Sequence, residues 1–536
     1  MSGAQGRLSW LKSPAVLVGL AGLLATVAVA HFVLGHAYSL YDDAYIYFRY
    51  VESTFAGCPL RYSCGDERVE GFTSPLYLAL LHGLRVLSPD LPTLSQLLNA
   101  GLLVATLILA VDLARRLAGG PAGFAAGMGT LAVLALDHYT LLNSVVGLET
   151  ALAAMFVTAL AHRRATGGHG QGAILVLATL ARPECAVLVL LWPVVDRPFA
   201  WRQLLWPFVA LALVAAARYA LFEDVVPNTA RAKAGGTAAH FRLGAAYLLD
   251  AAVEFPVLWL APLALLSGVL SKRRASAPTD AGEDRQARAN TVARLLLPGT
   301  ALVALSCLRT GGDTFDYSRF LFPFVPVSTA LALGAIAALP RGAWLAAATA
   351  LILAGRATTA HTIPAQHGFD NVLRYGELGA YLGRTLPGAT IATGAIGAVA
   401  YTSGNPILDL LGLVDRHIAR TGTTVPPERL TKAEIGHERH DADYVLARRP
   451  EVIATIMWQR TPFRRGAALD VRLHAEWELV ARLRSAPGTY VPFTPEVAPG
   501  VHWLLFLRRD VAAELLSRVA PSAGAGPAGA SPQDGQ

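Results

Sequence analysis

Charge is the scarcest resource in this chain. Only 15% of its 536 residues are Asp, Glu, Lys or Arg, against about 25% in ordinary soluble domains. Hydrophobic residues make up 54%, gathered over roughly the first 355 positions in blocks of about 15–25, the length that spans a bilayer. That excludes an ordinary soluble globular protein. Cysteine is also scarce: four residues are too few for a disulfide framework. Cys58 and Cys64 lie close together in one loop and can pair if that loop is outside the cytoplasm; Cys185 and Cys307 read as buried thiols. No P-loop is present, which disfavours ATP-driven transport. No HExxH and no spaced Cys/His set is present, which disfavours a zinc hydrolase. His437 and His440 in GHERHDAD lack an evident third ligand and read as surface or acceptor contacts. The run TIATGAIGAVAYTSGNPILDLLGLVD (390–415) has no complete GxGxxG, so a dinucleotide role is disfavoured.

The net charge of +7 is a topology signal and not a nucleic-acid footprint. Its basic residues mostly sit in short clusters between apolar blocks, at Arg115-Arg116, Arg163-Arg164 and Lys272-Arg273-Arg274, the positive-inside pattern. With a cytoplasmic N-terminus, spans are predicted at 14–38, 95–114, 121–138, 148–161, 203–222, 243–270, 292–308, 319–339 and 342–356. Two short runs, 171–181 and 185–195, form a shallow hairpin, giving about eleven transmembrane helices in all. The first block also resembles a signal peptide, with Ala28-Val29-Ala30 as a cleavage site, but its length suits a retained helix.

The predicted fold is therefore an α-helical polytopic membrane domain over 1–358, with 41–94 as a first outer loop carrying interfacial helices. An extracytoplasmic α/β domain follows at 359–515, and 516–536 is a small-residue, polar, disordered tail. Residues 390–415 are read as strands with glycine turns, in a domain suited to binding an acceptor polysaccharide. Trp458, Trp477 and Trp503 there could stack on sugars, with core packing the commoner role.

This threading places the acid- and amide-rich stretches on one outer face: YDDAYIYFRY (41–50), EGFTSP (70–75), NSVVGLET (143–150), ARPE (181–184), EDVVPNTARAK (223–233) and RTGGDTFDYSRF (309–320). Carboxylates beside cations at a membrane boundary suit one reaction class. Arg and Lys hold a lipid phosphate, a carboxylate takes the proton of an acceptor hydroxyl, and the cations stabilise the charge that develops on the leaving group.

The acidic pair Asp42-Asp43 after the first span resembles the polytopic GT-C glycosyltransferases, which use polyprenyl-phosphate sugars. DDAYIYFRY, ERVEGFTSPLY, GLET, RPE, PNTARAK, GGDTFDYSRFLFP, GAIG, DLLGLVD and GHERHDADYVLARRP, in that order, resemble the actinobacterial terminal β-(1→2)-arabinofuranosyltransferase family. The likeness runs from about residue 41 to 450. It implies arabinofuranosyl transfer from decaprenylphosphoryl-arabinofuranose to cell-wall arabinan, in the cell membrane with the active site on the extracytoplasmic face. It implies that Asp42 or Asp43 is the base or positions the acceptor. A base acting alone suits inversion, whereas a β donor giving a β product needs retention.

On the matching motifs, Arg49, Arg182, Asn228, Arg231, Lys233 and Arg319 are expected at the donor phosphate. Glu70, Glu149, Glu184 and Asp313 are expected to position substrate. A divalent cation (Mg, Mn or Ca) held by Asp42 and Asp43 is a further expectation, since all-oxygen ligation suits those ions.

Each residue also has a plainer reading. Glu149 and Glu184 suit helix N-termini, Arg231 and Lys233 suit snorkelling, Asp313 suits a turn, and Arg319 can pair with Asp316. Two other functions stay open: the same fold moving another polyprenyl-linked sugar to a protein, glycan or lipid, and a lipid-linked-sugar transporter. A transporter more often shows inverted repeats with midplane charges; no repeat is seen, and the acids lie at span ends.

Overall fold

A computed structural model describes residues 14–36, 40–143, 145–195, 201–233, 235–272, 280–315, 317–339, 341–359, 364–463, 473–485 and 488–519. Arg273, Arg274, Asp316 and the tail from 520 onward lie outside them.

The first half is a helical bundle. Four helices are long and apolar enough to cross a membrane: Ala15–Gly35, Leu91–Ala118, Leu205–Phe222 and Arg285–Thr310. A fifth span forms if Ala238–Glu254 and Val257–Leu266, bent by 73°, are taken together. Sequence reading expects one straight helix over 243–270. Pro256 breaks it, because proline has no N–H and disfavours helical geometry in the residue before it. The other apolar helices are short, among them Gly120–Leu136, Gln171–Ala181, Phe322–Ala337 and Gly342–Gly355. The chain is thus a membrane protein by its helices, with fewer full-length spans among the described residues than the eleven expected. The loop expected before 292 is also helical, within Asp280–Thr310.

Helix starts follow local chemistry. Ser74 caps Pro75–Arg85 by accepting the Tyr77 N–H, with Pro75 in the first turn; this is what the SP of EGFTSP does. Asp90 caps Leu91–Ala118 in the same way. That helix, 28 residues long and so about 42 Å at 1.5 Å per residue, separates two polar regions. At its C-terminal end Asp112 binds Arg115, Arg116 and His162. At its N-terminal end Asn99 donates to the Leu148 carbonyl at 2.9 Å, beside Glu149. The Arg115-Arg116 cluster and the GLET motif therefore lie toward opposite ends of this helix.

From Pro364 onward the chain forms an α/β domain around a six-stranded sheet. The strands in it are β1 (Ile391–Thr393), β2 (Ile407–Asp409), β5 (Val452–Gln459), β6 (Tyr490–Phe493), β7 (Glu496–Ala498) and β8 (Val501–Arg508), in the order β2-β1-β5-β8-β6 with β7 beside β8. β1 is parallel to β2 and β5, whereas β8 is antiparallel to its neighbours. A two-stranded sheet pairs β3 (Thr423–Thr424) with β4 (Arg439–His440). In place of consecutive strands over 390–415, the helix Ile396–Ser403 crosses from β1 to β2. Trp503 is fully buried in the core. Cys58 and Cys64 form a disulfide.

Candidate active site

Asp42 and Asp43 open the helix Asp42–Phe55. Successive helical residues point about 100° apart, and the two carboxylates have different partners. Asp42 accepts the backbone N–H groups of Gly397 at 2.9 Å and Ala398 at 2.7 Å, at the N-terminus of Ile396–Ser403, where a helix favours an anion. Burial raises its pKa to about 6, against the lowering effect of those two bonds. A Cβ on Gly397 would stand 2.0 Å from the Asp42 carbonyl oxygen, so only glycine permits this contact. Asp43 faces a cleft instead. Its Oδ2 lies 3.1 Å from Nη1 of Arg319, whose other edge is bound by Asp313. Each Asp42 oxygen thus accepts one backbone N–H and one Asp43 oxygen meets Arg319, so the two carboxylates are held toward different partners.

Asp313 and Arg319 are placed by an unusual loop. Gly311 and Gly312 have φ of +90° and +85°, turning the chain out of the helix Arg285–Thr310. Tyr317 and Ser318, also at positive φ, hold strain next to Arg319. A narrow cleft brings together Asp43, Glu149, Arg182, Glu184, Lys233, Asp313 and Arg319. Glu149 is buried and accepts from Tyr47 at 3.2 Å and Thr73 at 3.3 Å. Arg182 lies 3.5 Å from Glu149 and 3.4 Å from Glu184. Among the described residues Lys233 has no carboxylate in ion-pair contact. Its Nζ lies 5.5 Å from the Phe320 ring, which Arg182 and Arg319 also approach, at 5.1 and 5.6 Å.

Two larger cavities adjoin the cleft. One lies between bundle and α/β domain; it shares Asp43 and His437 with the cleft and adds Tyr375, Trp458 and Phe463. The other shares Lys233 and Glu184 and runs along Arg218, Val303 and Arg309 of the long apolar helices. An aromatic cleft on the domain side and a cavity among the spans thus meet at one ionic centre.

Four expected site residues serve elsewhere. Arg49 donates to the Tyr62, Gly404 and Asn405 carbonyls, tying loop to domain. Arg231 binds Asp224 at a more exposed position. Glu70 forms an ion pair with Arg218 at 3.0 Å. Asn228 donates to the carbonyls of Gly412 at 2.8 Å and Leu413 at 3.0 Å, and its own N–H bonds the Glu70 carbonyl. The Gly412 turn is itself held by Asp409, which accepts from Leu411 and Val414. The motifs EGFTSP, PNTARAK and DLLGLVD therefore interlock as a clasp between bundle and domain. Asn228→Ala leaves these carbonyls short of a donor, at a cost of about 1–3 kcal/mol. The expected result is a lowered thermal midpoint with Asp43 chemistry intact; an unchanged midpoint would contradict the clasp.

Sequence reading missed Tyr47, Thr73, Phe320, Arg218 and His437 as site residues. Tyr47 was findable four residues after Asp43, on the same helical face. His437, read from the sequence as a surface or acceptor contact, is half-buried against the cleft, where burial lowers its pKa.

The helical membrane bundle, the C-terminal α/β domain and the ionic cleft together make a fold that two solved structures share: ArnT from Cupriavidus metallidurans bound to undecaprenyl phosphate (TM-score 0.51, 12% identity, 97% of this chain and 100% of that one) and the same protein in the apo state (TM-score 0.50, 12% identity, 95% and 99%). Residues 364–499 match a family described as a domain of unknown function, DUF8728. Comparison with curated proteins gives no match.

Proposed function

We propose that this protein is a membrane glycosyltransferase that moves a sugar from a polyprenyl phosphate to a hydroxyl acceptor, the sugar being arabinofuranose and the acceptor a cell-wall arabinan. The observation that carries this reading is that a cavity along the long helices and an aromatic domain-side cavity both open into one ionic cleft, the first at Lys233 and Glu184 and the second at Asp43. The lipid donor enters among the apolar helices, and its phosphate reaches Lys233, Arg182 and Arg319. The acceptor lies along Tyr375 and Trp458, aromatic faces suited to sugar rings. Asp43 takes the hydroxyl proton, the acceptor oxygen bonds the anomeric carbon, and the carbon–oxygen bond to phosphate breaks with its electron pair going to the leaving phosphate. Cations already in place stabilise that charge without reorganising. The ArnT structure holding undecaprenyl phosphate supports a polyprenyl-phosphate partner. The Cys58–Cys64 disulfide supports an outward-facing site, since such bonds persist in oxidising compartments. All three cavities cluster at one end of the bundle, which favours transfer over transport.

The test is transfer of radiolabelled pentose from decaprenylphosphoryl-arabinofuranose to an arabinan oligosaccharide by purified protein. The expected result is labelled product, with Lys233→Ala raising the donor KM by tenfold or more. Turnover of a different polyprenyl-phosphate sugar alone would assign the other donor, and turnover of none would overturn the reading.

A further inference from the structure

The α/β domain holds a second cluster with different chemistry, made of residues that do not line the ionic cleft. His474 and Glu478 are four residues apart on the helix His474–Ser485, hence on one face. His440 reaches them from β4. Its Nε2 lies 2.6 Å from Oε2 of Glu478, and its ring stands edge-on to that of His474, centroids 5.1 Å apart at 87°. One ligand atom from each of the three lies within 4.8 Å of one from each of the others. Donors around a tetrahedral zinc lie about 3.3 Å apart, given bonds of about 2.0 Å, so small side-chain movements bring all three onto one ion.

We propose that His440, His474 and Glu478 form a zinc site, with water or another small ligand completing the shell. Two imidazoles and a carboxylate are a donor set that zinc takes with a fourth position open. Three further observations support it. His440 is 3% exposed, so its ring is held by the surrounding core with Nε2 as the nitrogen turned toward Glu478. The cluster is preset: the His474 N–H is held by Glu434 at 2.7 Å, and its ring stacks on Trp477. Glu478 divides its oxygens, Oε1 meeting Arg482 at 3.1 Å and Oε2 facing His440, which orients the carboxylate toward the imidazoles. His440 is also three residues from His437, which lines the cleft. A zinc ion here would fasten the strand bearing that wall to the helix His474–Ser485, and the assignment does not depend on which sugar, if any, is moved.

Full-length protein in detergent, with any affinity tag removed and metal stripped by chelator, is titrated with zinc against a colorimetric competitor. Cobalt(II) is added in a parallel sample. One zinc per chain is expected, with the visible absorption of tetrahedral cobalt. His474→Gln and Glu478→Gln each weaken zinc at least tenfold and reduce the cobalt band. Zinc raises the thermal midpoint of the wild type and not of His474→Gln, and matching midpoints of the stripped proteins confirm that the variant is folded. No zinc at micromolar concentration, or equal zinc in wild type and both variants, would overturn the site.

Discussion

Asp43→Asn is expected to slow sugar transfer about 10²- to 10⁴-fold, the usual contribution of a positioned general base, while leaving the thermal midpoint nearly unchanged. Asp42→Asn is expected to do the reverse. Asp42 also lines the domain-side cavity, but both of its oxygens are taken up by the Gly397 and Ala398 N–H groups. An amide keeps one acceptor and sets an N–H group against the other donor, so the helix Ile396–Ser403 loses its anchor and the midpoint falls. Transfer by Asp42→Asn is expected within about tenfold of wild type, well short of a lost base. Initial rates and unfolding curves on the same preparations decide the matter. Equal loss of transfer in both variants, or a larger loss in Asp42→Asn, would reverse the assignment.

Arg319→Lys is expected to cost about 10²- to 10³-fold in kcat, the scale seen when one preorganised donor to a developing charge is removed. The guanidinium spans Asp43 on one side and Asp313 on the other. An ammonium is a point charge without that planar fork and cannot hold both carboxylates in the same geometry. Asp313, almost fully buried, then loses part of its partner. A KM effect with kcat preserved would show that Arg319 binds the donor equally before and during reaction, contrary to this expectation.

The apolar blocks and their basic ends were readable from composition alone, because bilayer thickness fixes the length of a spanning helix and charge fixes its ends. The break at Pro256 and the helical 280–291 region were harder. The first needs the steric rule for proline to be weighed above hydropathy, and the second is a polar helix with no apolar periodicity to mark it. In the site, Asp43, Glu149, Arg182, Glu184, Lys233, Asp313 and Arg319 do come together. Asn228, Glu70 and Arg49 stand in equally distinctive motifs, but Asn228 and Arg49 bond carbonyls of the α/β domain and Glu70 holds Arg218 and the Asn228 N–H within the bundle. A motif records that neighbours are constrained; it does not record whether the neighbour is a substrate or a carbonyl 184 positions away. His440, His474 and Glu478 show the same limit from the other side, since the third ligand was invisible until the sheet and helix were folded together.

The neighbouring roles of Asp42 and Asp43 bear on how this protein can be altered. Consecutive Cα atoms are about 3.8 Å apart across a trans peptide bond, so the anchor of the α/β domain and the carboxylate proposed as the base are linked by a covalent ruler. A chimera carrying the α/β domain of a relative would therefore place its acceptor cleft correctly only if a glycine stood where Gly397 stands. Any bulkier residue there would push the graft outward and drag Asp43 with it, so that compatibility between the two halves is decided at one backbone contact.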